Sequence, residues 1–161
     1  MSHSFPDSED KRGPGVNFPP PLLAGAIIGC GYLVDRVKPL PVLNGDLIWL
    51  SGAVLIVAAL LIALTGLFHF LEAKTHIEPW HPTTTIIKQG VFRYSRNPIY
   101  LAFCIATVGS GLVLNSWWVL IGVLPLVCLL QQLVIKREEV YLESKFGQVY
   151  LDYKQQVRRW F

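Results

Sequence analysis

The chain reads LIWLSGAVLIVAALLIALTGLFHFL from Leu47 to Leu71, which is 25 residues without a formally charged side chain. At about 1.5 Å per residue, a helix of this stretch is about 37 Å long and can cross the roughly 30 Å hydrocarbon core of a bilayer with some tilt. The composition agrees, because 52% of the 161 residues are hydrophobic, 16% are charged and the mean hydropathy is +0.43. This balance indicates an integral membrane protein and excludes a disordered chain, and the net charge of +3 is too small to indicate a nucleic-acid partner.

Three further apolar stretches surround this segment. Leu22–Val34 precedes it, and Ile99–Leu114 and Trp117–Ile135 follow it, separated from each other by Asn115 and Ser116. We therefore predict an all-α, polytopic membrane bundle with about four transmembrane helices and a tight hairpin between the last two. The predicted spans are 21–37, 47–71, 98–114 and 117–136 within a single membrane domain of residues 21–161, preceded by a flexible N-terminal tail of residues 1–20.

The basic residues predict the orientation of this bundle. Arg36 and Lys38 lie on one side, and the other 12 of the 14 Lys and Arg residues lie on the opposite side. Because cytoplasmic loops carry the excess of Lys and Arg, both termini and the loop from Glu72 to Pro98 are predicted to be cytosolic. The membrane would be a plasma membrane, or the inner membrane in a prokaryote.

The residues that follow the last span are predicted to form cytosolic helices at 137–161. Tyr150, Tyr153, Val157 and Trp160 recur at helical spacing with basic residues between them. This pattern is typical of an amphipathic helix that lies on a bilayer surface.

Two polar segments are predicted to meet at the cytosolic face. Pro98 suits the first turn of a helix, so Arg96, Asn97 and Tyr100 cluster at a helix N-terminus, where an anion is favoured. In the second segment, Glu138 and Glu139 leave the last span together and require a partner at the membrane edge. Available partners are Arg93, Arg96 or a cationic ligand, although orientation signals and interface anchors would account for the same residue types without any chemistry.

The order of these segments resembles the isoprenylcysteine carboxyl methyltransferase and phospholipid methyltransferase group of membrane enzymes. The matching stretches run from about Thr85 to Arg159 and are Gly90-Val91-Phe92-Arg93-Tyr94, Arg96-Asn97-Pro98-Ile99-Tyr100, Glu138-Glu139 and Phe146-Gly147-Gln148-Val149-Tyr150-Leu151-Asp152-Tyr153. Two positions depart from the family pattern, because Asn97 replaces the usual His and Ala102 stands where Gly is common. An acid–base role that needs an imidazole is therefore lost at position 97.

The resemblance implies S-adenosylmethionine as the cofactor and methyl donor, with no metal. It implies cofactor-binding residues Arg96, Asn97, Pro98, Tyr100, Glu138 and Glu139; catalytic residues Arg93, Arg96 and Glu139; and substrate-binding residues Arg93, Tyr94 and Arg158. The expected partners are membrane lipids and a lipophilic small-molecule or lipid-modified substrate.

The acceptor is left open by the sequence. A carboxylate, as in an isoprenylcysteine-like substrate, is ionised at neutral pH and needs no general base, so carboxyl O-methylation is the first expectation. An amine, as in phosphatidylethanolamine-type N-methylation, must first lose a proton. A non-catalytic membrane scaffold that kept the fold is a third reading, and a membrane reductase with a nicotinamide cofactor is a more distant one.

Overall fold

Helices form the regular structure of the computed structural model, which describes residues 13–16, 18–43, 45–75 and 81–161. No strand occurs within these described ranges. The helices are α1 (Pro20–Val37), α2 (Asp46–Glu72), α3 (Pro98–Val113), α4 (Trp117–Ile121), α5 (Val123–Leu129), α6 (Lys136–Phe146) and α7 (Gln148–Gln156), with a 3-10 turn at Gly90–Arg93 and a π-helical segment at Leu130–Ile135.

Each predicted span coincides with a helix. By length and composition, Asp46–Glu72 and the helical run Trp117–Phe146 can cross a membrane, and α3 is apolar but shorter. The most apolar window of α2 has 11% of its residues buried inside the protein, whereas a core helix of a soluble protein would be mostly buried. The all-helical, membrane-type prediction is confirmed, and the number of spans stays a prediction.

Two glycines bring α2 and α3 together. A methyl group added at Gly52 would lie 2.7 Å from the carbonyl oxygen of Gly109, and one added at Gly109 would lie 2.8 Å from the carbonyl oxygen of Gly52. The two backbones approach so closely because neither position carries a side chain. This contact holds the C-terminal part of α3 against α2.

The last apolar stretch is helical but not uniform. Pro125 has no N–H, and its ring crowds the carbonyl of Ile121, so the helix breaks at Gly122 between α4 and α5. The following six residues, Leu130–Ile135, adopt the wider π-helical turn. This segment runs directly into α6, which carries Glu138 and Glu139.

The C-terminal helix differs from its prediction. Tyr150, Tyr153 and Val157 are buried inside the protein, packed with Ile86, Leu142 and Phe146, so the predicted contact of this apolar face with the bilayer is wrong. Hydrophobic periodicity marks a buried face but does not say whether lipid or protein covers it.

Part of the predicted N-terminal tail lies among the described residues. Residues 1–12 and 17 lie outside the described residues, but Val16 is 0% exposed and belongs to the cluster that includes Cys104, Leu126 and Leu130. Arg137 donates a hydrogen bond from Nη1 to the carbonyl oxygen of Gly15 over 3.2 Å. The described part of the predicted flexible tail therefore packs on the bundle, because one apolar side chain in a polar segment finds a buried place between helices.

Candidate active site

A cavity of about 280 Å³ lies at the end of the bundle where α2 ends and α3 begins. Its lining includes Arg96, Asn97, Tyr100, Glu138 and Glu139, together with Pro98 and a largely apolar remainder. The volume is just below the usual range of about 300–1,000 Å³ for small-molecule sites, and an apolar pocket with a few convergent polar groups is the usual form of such a site. All six residues predicted to bind the cofactor line this one cavity.

Glu139 is held by two arginines. Arg159 donates from Nε to Oε1 over 2.9 Å and from Nη2 to Oε2 over 2.7 Å, which is a bidentate pair. Arg96 Nη1 lies 3.1 Å from Glu139 Oε1. The Glu139 side chain is 10% exposed, so its burial is compensated by charge and hydrogen bonds on both oxygens.

Glu138 has a different environment. The hydroxyl of Tyr100, in the first turn of α3, donates to Glu138 Oε1 over 2.5 Å. Within the described parts of the chain, no Lys or Arg forms an ion pair with Glu138. Of the two adjacent carboxylates, this is the one that keeps capacity for a cation in the cavity.

Arg96 presents an unused hydrogen-bond donor. Its side chain is 8% exposed, and its Nη1 also lies 3.4 Å from the hydroxyl oxygen of Tyr150. Its Nε is fully enclosed and has no hydrogen-bond partner among the described residues. An enclosed N–H without an acceptor is costly, so an anionic ligand group at this place would be strongly stabilised.

Two tyrosines of α7 complete the polar part of the cavity lining, which we call the polar wall. Burial, followed by the nearby charge of Glu139, raises the pKa of Tyr150 to about 12, against a smaller lowering effect of Arg96. Burial also raises the pKa of Tyr153 above its usual value, and the Tyr153 hydroxyl donates to the carbonyl oxygen of Phe92 over 2.7 Å. Both groups stay neutral at physiological pH, so they act as fixed hydrogen-bonding groups that tie α7 to the cavity.

The C-terminal residues run along the segment that precedes α3. Asn97 donates from Nδ2 to the carbonyl oxygen of Arg159 over 3.0 Å, and the Ser95 hydroxyl donates to the same oxygen over 3.3 Å. The backbone N–H of Arg96 donates to the carbonyl oxygen of Arg158 over 3.0 Å. The amide nitrogen of Asn97, which stands where an imidazole was expected, is thus engaged by the backbone.

Three predicted site residues lie elsewhere. Arg93, Tyr94 and Arg158 are exposed, Tyr94 to 78%, and none of them lines the cavity. Their predicted roles in catalysis and substrate binding stay predictions.

Sequence reasoning missed Arg159. Val157 has extended backbone dihedrals and a buried side chain, and in an extended segment alternate side chains share a side. This alternation would have placed Arg159, rather than Arg158, on the inner side.

Chemically, the wall can hold an anionic group and a cationic group side by side. The enclosed Nε of Arg96 suits the anion, and the carboxylate of Glu138 suits the cation. A zwitterionic amino-acid group carries both.

Comparison with known proteins supports this interpretation. The family model described as phospholipid methyltransferase matches residues 47–149. An uncharacterised protein of Haemophilus influenzae is 42% identical over 62 residues, which cover 38% of this chain and 98% of that protein. A solved structure of the eukaryotic intramembrane Ras methyltransferase ICMT (isoprenylcysteine carboxyl methyltransferase) matches with a TM-score of 0.65 at 18% identity.

The structural match covers 90% of this chain, but the chain spans only 53% of the length of that methyltransferase. At 18% identity the match shows a shared fold.

Proposed function

This chain belongs to the phospholipid methyltransferase family, and from that membership we propose that it transfers a methyl group from S-adenosylmethionine to a lipophilic acceptor at the cytosolic face of a membrane. Membership confirms the family resemblance that the sequence showed in the order of its four matching stretches between Thr85 and Arg159. The single observation that carries the proposal is that Arg96, whose enclosed Nε has no partner among the described residues, lines the same cavity as Glu138.

The cavity wall fits the amino-acid end of S-adenosylmethionine. Its carboxylate would accept from Arg96 Nε and from the free backbone N–H groups at the start of α3. Its ammonium would lie against Glu138, the acid without an ion pair within the described residues. Asn97, Pro98 and Tyr100 would form the surface between these two contacts.

Bound there, S-adenosylmethionine supplies a methyl group on a positively charged sulfur. The residues of this chain need to align the acceptor and keep water out. Phe70, Ile86 and Phe103 belong to the largely apolar lining, which would keep water from the reacting atoms once both ligands are bound. Glu139 and Arg96 fix the polar wall, so they contribute by positioning rather than by proton transfer.

We propose a carboxylate as the acceptor, as in an isoprenylcysteine-like or other lipophilic acid. Position 97 carries an amide rather than an imidazole, and Glu139 is occupied by two arginines. Of the acids lining the cavity, Glu138 is the one left, and the ammonium of the methyl donor would occupy it. A carboxylate is already ionised and needs no base. Arg93 and Arg158, outside the cavity, remain candidates for holding it.

N-methylation of a phospholipid amine is a second candidate. It is favoured by the position of Glu138, whose carboxylate lies in the cavity and could accept the amine proton when the substrate arrives. A scaffold without catalysis would require neither the unpaired Arg96 Nε nor the cavity.

The proposed topology keeps the four spans, with the termini and the cavity in the cytosol. The ends of α2 and α3 at the cavity flank the loop that carries Lys74, Lys88, Arg93 and Arg96, whereas the other end of the bundle carries Arg36 and Lys38. This distribution matches the excess of Lys and Arg in cytoplasmic loops. Cysteine labelling of single-cysteine variants in intact cells tests it.

The test is methyl transfer from radiolabelled S-adenosylmethionine in membranes that contain the protein, supplied in parallel with a prenylated cysteine and with phosphatidylethanolamine. A labelled product that releases methanol in alkali is an ester and supports the carboxylate acceptor. A base-stable labelled lipid supports the amine. Calorimetry that finds no binding of S-adenosylmethionine to the folded protein would overturn both.

A further inference from the structure

The two adjacent acids Glu138 and Glu139 are not equivalent. Both oxygens of Glu139 accept hydrogen bonds from guanidinium groups, whereas Glu138 accepts one from the Tyr100 hydroxyl. One carboxylate therefore organises the wall, and the other faces the cavity with capacity to spare.

Arg159 determines this division. It binds Glu139 through a planar fork of Nε and Nη2, while Arg96 reaches the same carboxylate with Nη1 alone. Because Arg159 occupies the bidentate position, Arg96 keeps its Nε out of the ion pair, enclosed and without a partner among the described residues, while its side chain lines the cavity.

The backbone of Arg159 is fixed from the other side. Its carbonyl oxygen accepts from Asn97 Nδ2 over 3.0 Å and from the Ser95 hydroxyl over 3.3 Å. The residues that flank Arg96 therefore hold the same residue that sets the geometry of Arg96. Arg159 lies beyond residues 47–149, which the family model matches.

We infer that Arg159 is a positioning residue: by clamping Glu139 it keeps the Nε of Arg96 directed at the bound ligand, and it leaves Glu138 as the acid of the pair that contacts the methyl donor. This inference rests on the proposed function. Without Arg159, Glu139 would be a buried carboxylate with one cation, and Arg96 would rotate to satisfy both oxygens with Nε and a terminal nitrogen. The hydrogen bond from Nε to the methyl donor would be lost.

The first experiment compares binding of S-adenosylmethionine to the wild type and to Arg159→Gln, measured by calorimetry on the full chain in detergent. Loss of the outer hydrogen-bonding partner of a metal-ligating side chain typically costs about 10- to 100-fold in affinity, and by analogy we expect a loss in this range for S-adenosylmethionine. Arg159→Lys should also bind weakly, because a point charge cannot form the fork. Added guanidinium at millimolar concentration should restore part of the affinity of Arg159→Ala.

Lys154→Ala is the matched control. It removes one positive charge from the same C-terminal region and breaks the ion pair of Lys154 with Glu143, which also joins α6 and α7. Neither of these residues lines the cavity, so affinity for S-adenosylmethionine should stay within about twofold of the wild type.

A double-variant cycle separates positioning from a direct contact. If Arg159 acts through Glu139, the double variant of Glu139→Gln and Arg159→Gln should bind no more weakly than Glu139→Gln alone. The inference would be overturned if the affinity loss of the double variant were the product of the losses in the two single variants. It would also be overturned if Arg159→Gln bound S-adenosylmethionine with wild-type affinity.

Thermal unfolding of the wild type, Glu139→Gln, Arg159→Gln and the double variant gives a second readout that needs no ligand. Failure of the wild type to bind S-adenosylmethionine would remove the proposed function and the ligand-facing role of Glu138. The unfolding cycle would still test the Glu139–Arg159 clamp, because independent effects of the two substitutions on the melting temperature would overturn it. If Arg159→Gln does not fold, Arg159→Lys replaces it in the binding measurement, because lysine keeps the positive charge.

Discussion

The two ends of the helix bundle both carry polar side chains in long-range hydrogen bonds, yet they use them differently. At the end away from the cavity, the Ser116 hydroxyl donates to Asp35 Oδ1 over 2.8 Å. Asn115 Oδ1 accepts from the backbone N–H of Val42 over 2.9 Å, and Trp118 donates to the carbonyl oxygen of Lys38 over 2.8 Å. These bonds tie the end of α1 and the loop after it to the α3–α4 turn and the start of α4.

At the cavity end, the network of Arg96, Glu139 and Arg159 also joins distant parts of the chain. It differs in two respects. It borders a cavity, and the enclosed Nε–H of Arg96 has no hydrogen-bond acceptor among the described residues. Polar residues at a membrane edge are therefore not a sign of function by themselves. The combination of a cavity with an unmet hydrogen bond is what distinguishes the proposed ligand site from the polar contacts at the opposite end.

The largest effect at the cavity end is expected for Glu138→Gln. We expect affinity for S-adenosylmethionine to fall about 100-fold or more, because the ammonium would lose its charged partner, while the melting temperature stays near that of the wild type. Calorimetry and thermal unfolding measure the two effects. The control is Glu143→Gln, an acid on the same helix whose partner is Lys154. Equal losses in both variants would mean that overall charge, rather than a contact, controls binding.

The opposite end should respond in stability alone. Ser116 is fully buried, so Ser116→Ala should leave Asp35 without this hydrogen bond and lower the free energy of unfolding by roughly 1–3 kcal/mol. Affinity for S-adenosylmethionine should be unchanged. Unfolding in denaturant with parallel calorimetry tests this, and weaker binding in a stable variant would show that the two ends are coupled.

Gly90 tests the loop that leads to the cavity. Its φ is +56°, and an added Cβ would collide with the ring of His69, whose Nδ1 is 2.6 Å from the carbonyl oxygen of Thr65. Gly90→Ala should cost about 1–2 kcal/mol of stability from the left-handed backbone, with a further cost from displacing the ring. Gly25→Ala is the control, because its Cβ would meet open space. Equal melting temperatures for the two variants would contradict this account.

The smallest expected effect concerns alkaline pH. The pKa of Tyr150 is raised to about 12, above the ordinary value of about 10. A raised folded-state pKa means that the stabilisation is complete below pH 10 and is lost as the pH rises from about 10 to 12. Tyr150→Phe should remove this part of the alkaline destabilisation. Melting temperatures from pH 9 to 12 measure it, and parallel curves for the two proteins would show that Tyr150 does not contribute.

The helices were predictable because each apolar run between charges is long and the signals at its ends are local, such as Pro98 at the start of α3 and Asn115 at its end. The cavity could be anticipated because Arg96 and Glu138 are brought to one face by topology. The packing of Val16 could not, since a single apolar residue among prolines and glycines gives no periodic signal.

The unequal roles of Glu138 and Glu139 were also beyond the sequence. Adjacent residues of a helix point about 100° apart, but which of them meets a cation depends on where the C-terminal segment returns. That segment turns at Gly147, with φ of +53°, and brings Arg159 back to Glu139 across 20 residues. A contact of this kind depends on tertiary structure rather than on spacing.

The π-helical segment Leu130–Ile135 has a consequence for how this chain tolerates changes of length. Each i→i+5 turn accommodates one residue more than an α-helical turn. Deleting one residue there would let the segment relax to a regular α-helix with little change in the orientation of the preceding helix relative to α6, whereas a deletion in a regular α-helical part would rotate that helix by about 100°. The number of residues between the Asn115 turn and Glu138 is thus matched to the presence of the wide turn. Homologues that lack the wide turn should be one residue shorter in this interval.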